Sequence, residues 1–148
     1  MKAITLTQPW ASLVAIGAKR VETRSWRTPY RGPLAIHAAK DYPQWAKDTA
    51  WEEPFLSALK AYPGPPLPLG AVVATCRLVA CIPTRELLAG LLIECDPVVQ
   101  SIPFVMTEQE RAFGDYEPGR WGWILADIKM LPEPVPARGA LSLWEWNP

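Results

Sequence analysis

The octet Gly17-Ala18-Lys19-Arg20-Val21-Glu22-Thr23-Arg24 marks a helix-to-strand junction. Glycine adopts a left-handed conformation at little cost, so Gly17 is a natural stop for a helix opened by Pro9. Trp10, Leu13, Val14 and Gly17 carry helical spacing ahead of it. Beyond the glycine the chain extends. Alternation over residues 20–26 puts Glu22, Arg24 and Trp26 on one strand face and Val21, Thr23 and Ser25 on the other. Lys19, Glu22 and Arg24 fall within six positions, with Trp10, Trp26 and Tyr30 close by in sequence. Cations, one acid and flat aromatic faces suit an anionic, planar ligand, and a nucleotide has that chemistry.

Upstream of the octet, residues 3–7 alternate and are β-branched, which predicts a strand. Downstream, Thr28–Pro33 reads as a turn and Leu34–Ala39 as a strand apolar on both faces. Residues 41–62 predict a helix with a broken apolar stripe, split in two by Pro54 and followed by a stiff connector at Pro63–Pro68. Gly70–Ile82 is the strongest strand signal. Thr84 is expected to cap a helix over Arg85–Leu92. Residues 93–120 read as irregular, apart from a capping-box pattern at Thr107–Glu110 and a turn cluster at Phe113–Gly119. Trp121–Leu131 and Leu141–Trp146 predict the last strands, with Pro132–Pro136 as a polyproline connector between them. Five or six strands broken by short helices predict an α+β fold, a small mixed β-barrel forming one domain over residues 1–148. The lack of regular βαβ alternation and of a glycine-rich strand-to-helix fingerprint excludes a Rossmann-like sheet.

The composition narrows the function classes. No apolar run reaches the roughly 18 residues that span a bilayer, and the N-terminus lacks a signal-peptide layout, so a cytoplasmic protein with no membrane partner is expected. Three cysteines, Cys76, Cys81 and Cys95, make no disulfide framework, and Cys76 and Cys81 sit in an apolar run as buried thiols. The single histidine, His37, and these scattered cysteines give no zinc spacing, so neither a metal nor another cofactor is expected. His37 lies in an apolar strand and reads as a satisfied interior side chain. Net charge is zero, but residues 1–40 hold seven Lys/Arg and one acid, a net of +6, against −6 over the rest. That asymmetry predicts one basic face on a neutral body, or charges that merely keep a small domain in solution. Most of the eight tryptophans are expected in the core.

Several side chains carry two readings each. Lys19 and Arg24 form an anion clamp with Glu22 managing a proton, or the three make a rim salt bridge worth little. Trp10 and Trp26 stack on a base or fill core. Gln8 caps the first helix or reads a base edge with its amide. Arg31, in the basic turn beside the junction, is expected to contact the ligand as well. Arg120 contacts phosphate or is a solvated charge at a strand start. Asp115 and Tyr116 line a pocket, or the Asp caps its own turn. Glu108 and Glu110 are second acids or ordinary surface helix acids.

The motif Gly17-x-Lys19-x-x-Glu22-x-Arg24, preceded by Gln8-Pro9-Trp10-Ala11-Ser12-Leu13 and followed by Ser25-Trp26 and Tyr30-Arg31-Gly32-Pro33, resembles the ASCH (activating signal cointegrator homology) family. The resemblance extends through the Gly70–Ile82 strand and Phe113-Gly-Asp-Tyr-x-Pro-Gly-Arg120-Trp121. It implies a PUA-like barrel and a cleft, lined by Lys19, Glu22 and Arg24, that meets RNA, single-stranded DNA or a modified nucleoside. It implies one of three activities: nucleic-acid binding, metal-independent ribonuclease action, or amide hydrolysis of N4-acetylcytidine. For the last, Lys19 matches the lysine of the hydrolytic branch, whereas that branch has threonine where this chain has Glu22. A monomer or weak dimer is expected.

Overall fold

The computed structural model describes residues 1–90 and 105–148, together with the backbone of 93–94 and 101–102. In chain order the elements are β1 (Lys2–Leu6), α1 (Trp10–Ala15), β2 (Val21–Arg24), β3 (Gly32–Ala38), α2 (Gln44–Ala50), α3 (Phe55–Leu59), β4 (Ala71–Pro83), α4 (Thr84–Leu88), β5 (Ile93–Glu94), β6 (Ser101–Ile102), α5 (Glu108–Ala112), β7 (Trp121–Pro136) and β8 (Trp144–Glu145). Six strands form one mixed sheet in the order β2-β7-β4-β3-β1-β8. β1 runs parallel to β3, with Ile4 opposite Ile36, and antiparallel to β8. β2 runs antiparallel to β7, with Glu22 opposite Trp123. The expected α+β architecture of about six strands with short helices is therefore present. Among the described residues the sheet has two ends, β2 and β8, rather than the closed ring of a barrel.

By contact density the chain forms two compact units. The first comprises residues 1–19, 33–76 and 127–148, and the second residues 20–32 and 77–126. In the first, Ala3, Ala35, Val72 and Trp146 pack as a buried cluster with Leu131, Ala137 and Trp144 against it. His37 is buried there as expected. Its Nε2 lies 2.7 Å from the Ala137 carbonyl, which only accepts, so Nε2 carries a proton. Its Nδ1 lies 3.1 Å from Thr5 Oγ1, and that oxygen also receives the Trp144 indole N–H at 3.1 Å. A Cβ on Gly139 would sit 2.7 Å from both Thr5 Oγ1 and the His37 ring, so this close approach needs glycine. In the second unit, Val21, Val79, Ala80, Leu87, Tyr116 and Ile124 form the cluster, flanked by Ile82, Met106 and Ala126.

Pro54 does divide the 41–62 segment, into α2 and α3, and Cys76 and Cys81 are buried free thiols. Cys95 lies outside the described residues. Four expectations are corrected. Thr84 is the first residue of α4, not its cap; its hydroxyl donates to the carbonyls of Glu117 and Arg120. α4 stops at Leu88, with left-handed Gly90 (φ 71°) just past it; residues 91–92 lie outside the described residues. Pro132–Pro136 is no connector: it continues β7. Most tryptophans are not core: only Trp123 and Trp146 are buried, while Trp45 and Trp51 are 61% and 76% exposed. Indole area is large enough that partial packing on a short helix leaves much of it in water.

Candidate nucleic-acid interface

The junction folds as its residues dictate. Gln8, fully buried, turns its amide onto the start of α1: Oε1 accepts the Ser12 N–H at 3.0 Å, and Nε2 donates to Ser12 Oγ at 2.8 Å and to the Pro68 carbonyl at 2.9 Å. This is the capping reading of Gln8. Gly17 ends the helix at φ 80°. The Leu13 carbonyl then accepts the N–H groups of both Ala18 and Lys19 at 3.0 Å. Those bonds fix the backbone of Lys19, whose side chain is completely buried. Trp10 is half-buried and packs against Trp45 and Phe55, each at a ring separation of 5.8 Å.

β2 alternates as its sequence predicts, with Val21 and Thr23 buried and Glu22 and Arg24 half-buried. The two charged side chains meet: Arg24 Nε and Nη2 lie 3.1 and 3.0 Å from Glu22 Oε2. Trp26 stands edge-on to Trp123 at 4.8 Å. Arg27 lies over the Trp121 ring at 5.7 Å. Arg31 is pinned in its turn, donating to the carbonyls of Thr28 and Tyr30 at 2.9 and 2.8 Å.

Residues far along the chain hold this strand in place. The Arg20 N–H donates to Glu110 Oε1 at 2.8 Å. Glu110 is buried, which corrects its reading as a surface acid, whereas Glu108 is exposed. Its backbone N–H donates to Thr107 Oγ1, so half of the capping box forms and the carboxylate is spent on Arg20 instead. Thr23 Oγ1 accepts the Asp115 N–H at 2.9 Å. Arg120 reaches back from the start of β7 to the Thr23 carbonyl at 3.3 Å and the Asp115 carbonyl at 3.1 Å, with the Asp115 carboxylate 3.4 Å away. Asp115 also caps its own turn through the Glu117 N–H.

Tyr116 carries little signal in the sequence beyond its place in a turn. Its ring is buried, and its hydroxyl has no hydrogen-bond partner among the described residues. Burial first, then the charges of Glu110 and Glu22, push its pKa up, so the phenol stays protonated well into alkali. Burial also raises the Cys81 pKa, opposed by a hydrogen bond to the Thr28 backbone and by the positive charges of Arg31 and Arg27. The second unit thus gathers Glu22, Arg24, Trp26, Arg27, Arg31, Tyr116 and Arg120, whereas Gln8, Trp10 and Lys19 belong to the first. No signal in the spacing linked Glu110 or Tyr116 to β2, because each meets it only through tertiary packing. Among the described residues, no group of three or more His, Cys, Asp or Glu side chains is placed to hold a metal. No helix of the described residues is long and apolar enough to cross a membrane.

The family model for the ASCH domain matches residues 4–132. Over 40 residues the chain is 55% identical to activating signal cointegrator 1 of Homo sapiens and, equally, of Mus musculus. That match takes in 27% of this chain and 7% of each relative, so the chain spans a small part of their length. A crystal structure of a point mutant of ZmASCH from Zymomonas mobilis superposes with a TM-score of 0.46 at 15% identity, covering 91% of this chain and 74% of that one. With the family model matching most of its length, this chain belongs to the ASCH domain family.

Proposed function

We propose that this protein binds RNA, or single-stranded nucleic acid of similar charge, through the basic and aromatic surface that begins at β2. The observation that carries the reading is the content of residues 20–31, which bring Arg20, Arg24, Arg27 and Arg31 into one compact unit with a single acid, Glu22. Arg20 and Arg27 are exposed, Trp26 is half-buried, and Trp121 lies under Arg27. Guanidinium groups interleaved with indoles suit phosphates separated by stacked bases. In this reading Arg24 and Arg27 engage phosphate, Trp26 offers a stacking face, and Arg31 and Arg120, already tied to backbone carbonyls, hold the surrounding turns in shape. Gln8 and Trp10 act within the first unit, where they hold α1 in place. The reading takes residues 1–148 as one ASCH domain, cytoplasmic, and a monomer or weak dimer.

The test is binding of a labelled single-stranded RNA across a salt series. Displaced counterions make affinity fall as salt rises. Arg24→Ala and Arg27→Ala should each weaken binding and reduce the salt slope. Absence of binding at low salt, or variants that bind like the parent, refutes the reading.

A second reading has its own observation, the complete burial of Lys19. An amine enclosed in this way is shielded from bulk water, and such an amine can serve as a nucleophile or base toward a bound substrate. The substrate class is then a modified nucleoside such as N4-acetylcytidine. Chromatography of N4-acetylcytidine incubated with the parent and with Lys19→Ala decides it: turnover lost in the variant supports hydrolysis, and no turnover in the parent retires it.

A further inference from the structure

The first compact unit carries a groove that the motif at β2 does not account for. It is lined by Tyr42, Trp51, Leu56, Leu59, Tyr62 and Pro65 among others, with a volume of about 510 Å³. Its floor comes from α2, α3 and the turn between them, and its far wall from the proline-rich 63–67 segment. Three rings border it, and one of them, Trp51, is 76% exposed. An indole left that open on a groove rim leaves unused the large contact area that aromatic side chains bring to an interface.

The charges at the groove are of one sign. Among the described residues Lys47 and Lys60 line it and no acidic residue does, although Asp48, Glu52 and Glu53 belong to the same stretch of chain. Among the described residues neither lysine has a carboxylate partner; Lys47 instead lies over the Tyr42 ring at 5.6 Å. Burial raises the pKa of both Tyr42 and Tyr62, so their hydroxyls remain protonated donors through neutral pH.

We propose that this groove is a nucleotide-binding subsite, taking a base against Trp51 and the tyrosine rings and its phosphate at Lys47 and Lys60. Flat apolar walls fit a base, and two unneutralised ammonium groups complement a phosphate. The choice of a nucleotide over another anionic aromatic ligand rests on the nucleic-acid reading above. The subsite itself is formed within the unit that does not contain Glu22, Arg24 or Arg27.

The test is a titration of the intact protein with adenosine 5′-monophosphate, followed by the indole N–H signals in ¹⁵N–¹H spectra. Trp51→Phe and Trp26→Phe assign the two signals that matter. The proposal expects the Trp51 signal to move to saturation. Adenosine or inorganic phosphate alone should each bind more weakly than the nucleotide. Trp51→Ala should weaken binding at least about fivefold, and Lys47→Ala with Lys60→Ala should remove the preference over adenosine. Because Trp51 is exposed, its replacement leaves the core intact. A stationary Trp51 signal overturns the proposal, whether Trp26 moves, which would leave the RNA reading standing, or neither moves. A Trp51 signal that moves with an acidic aromatic peptide such as Glu-Phe-Glu but not with the nucleotide also overturns it, in favour of a peptide groove.

Discussion

The carboxylate of Glu110 accepts the backbone N–H of Arg20, ninety residues away in sequence, at 2.8 Å. That one bond ties the first residue after the helix-to-strand junction to α5. Its removal strands a donor. Glu110→Ala should cost about 1–3 kcal/mol, the desolvation of an unpaired buried group, and Glu110→Gln, which keeps an amide oxygen, should recover most of it. Urea unfolding of the three proteins checks this. Equal losses in both variants would show that the charge, not the acceptor, matters.

Much of this arrangement is legible in the sequence. Gly17 as a helix stop, the two faces of β2 and the interior place of His37 follow from local rules, because a backbone conformation or a period of two decides each of them. Glu110 was not legible. The capping-box pattern placed it on a helix, but which way a carboxylate turns depends on what packs beside it. The tryptophans failed for a related reason: hydrophobicity ranks residues for burial, whereas the short helices carrying Trp45 and Trp51 offer too little neighbouring surface to cover them. Pro132–Pro136 was misread because proline is compatible with an extended strand wherever its missing N–H is not needed.

A hydrogen-bonded chain runs from Trp144 through Thr5 to His37 and Ala137. Thr5→Val keeps the shape and deletes the shared hydroxyl. The expected loss is about 1–3 kcal/mol, since an indole donor and a ring nitrogen lose their partner together. Thermal unfolding measures it; a variant as stable as the parent would mean that water replaces the hydroxyl.

Cys76 is buried, and burial together with the Asp127 charge pushes its thiol up to about 12. In the unfolded chain it titrates near 9, so between these values the unfolded state sheds a proton that the folded state keeps. Stability is therefore full below about 9 and falls as pH rises toward 12. Tyr116, also shifted upward, adds to the same alkaline loss. Denaturant curves at pH 8 and pH 10.5 should differ less in Cys76→Ala and in Tyr116→Phe than in the parent. An unchanged difference in both variants would locate the alkaline sensitivity elsewhere.

Tyr116→Phe carries a second expectation at neutral pH. Deleting a buried hydroxyl that has no hydrogen-bond partner among the described residues should leave stability unchanged or raise it slightly. A loss above about 1 kcal/mol would reveal a partner, such as a bound water.

Glu22 neutralises Arg24 at 3.0 Å. Glu22→Gln should release the guanidinium and tighten RNA binding by a factor of about 1.5 to 5, the scale of an exposed or half-exposed ion pair. Weaker binding in this variant would mean that the acid positions Arg24 rather than competing for it. Fluorescence anisotropy at fixed low salt makes the comparison.

The prolines of β7 have a bearing on how the molecule behaves at high concentration. Val21 of β2 pairs with Ile124, and the Arg20 carbonyl before it takes the Leu125 N–H at 2.9 Å, well short of the prolines. The Ala137 N–H points to the Gly70 carbonyl at the start of β4, so by alternation the N–H groups of Val135 and Glu133 share that side. Pro132, Pro134 and Pro136 then occupy the positions whose donors would face outward, and they have none. A neighbouring chain approaching this margin meets carbonyls without the alternating donors that a strand ladder requires. The tail of β7 is thus self-limiting: it completes its own sheet and offers no template for growth into a fibre.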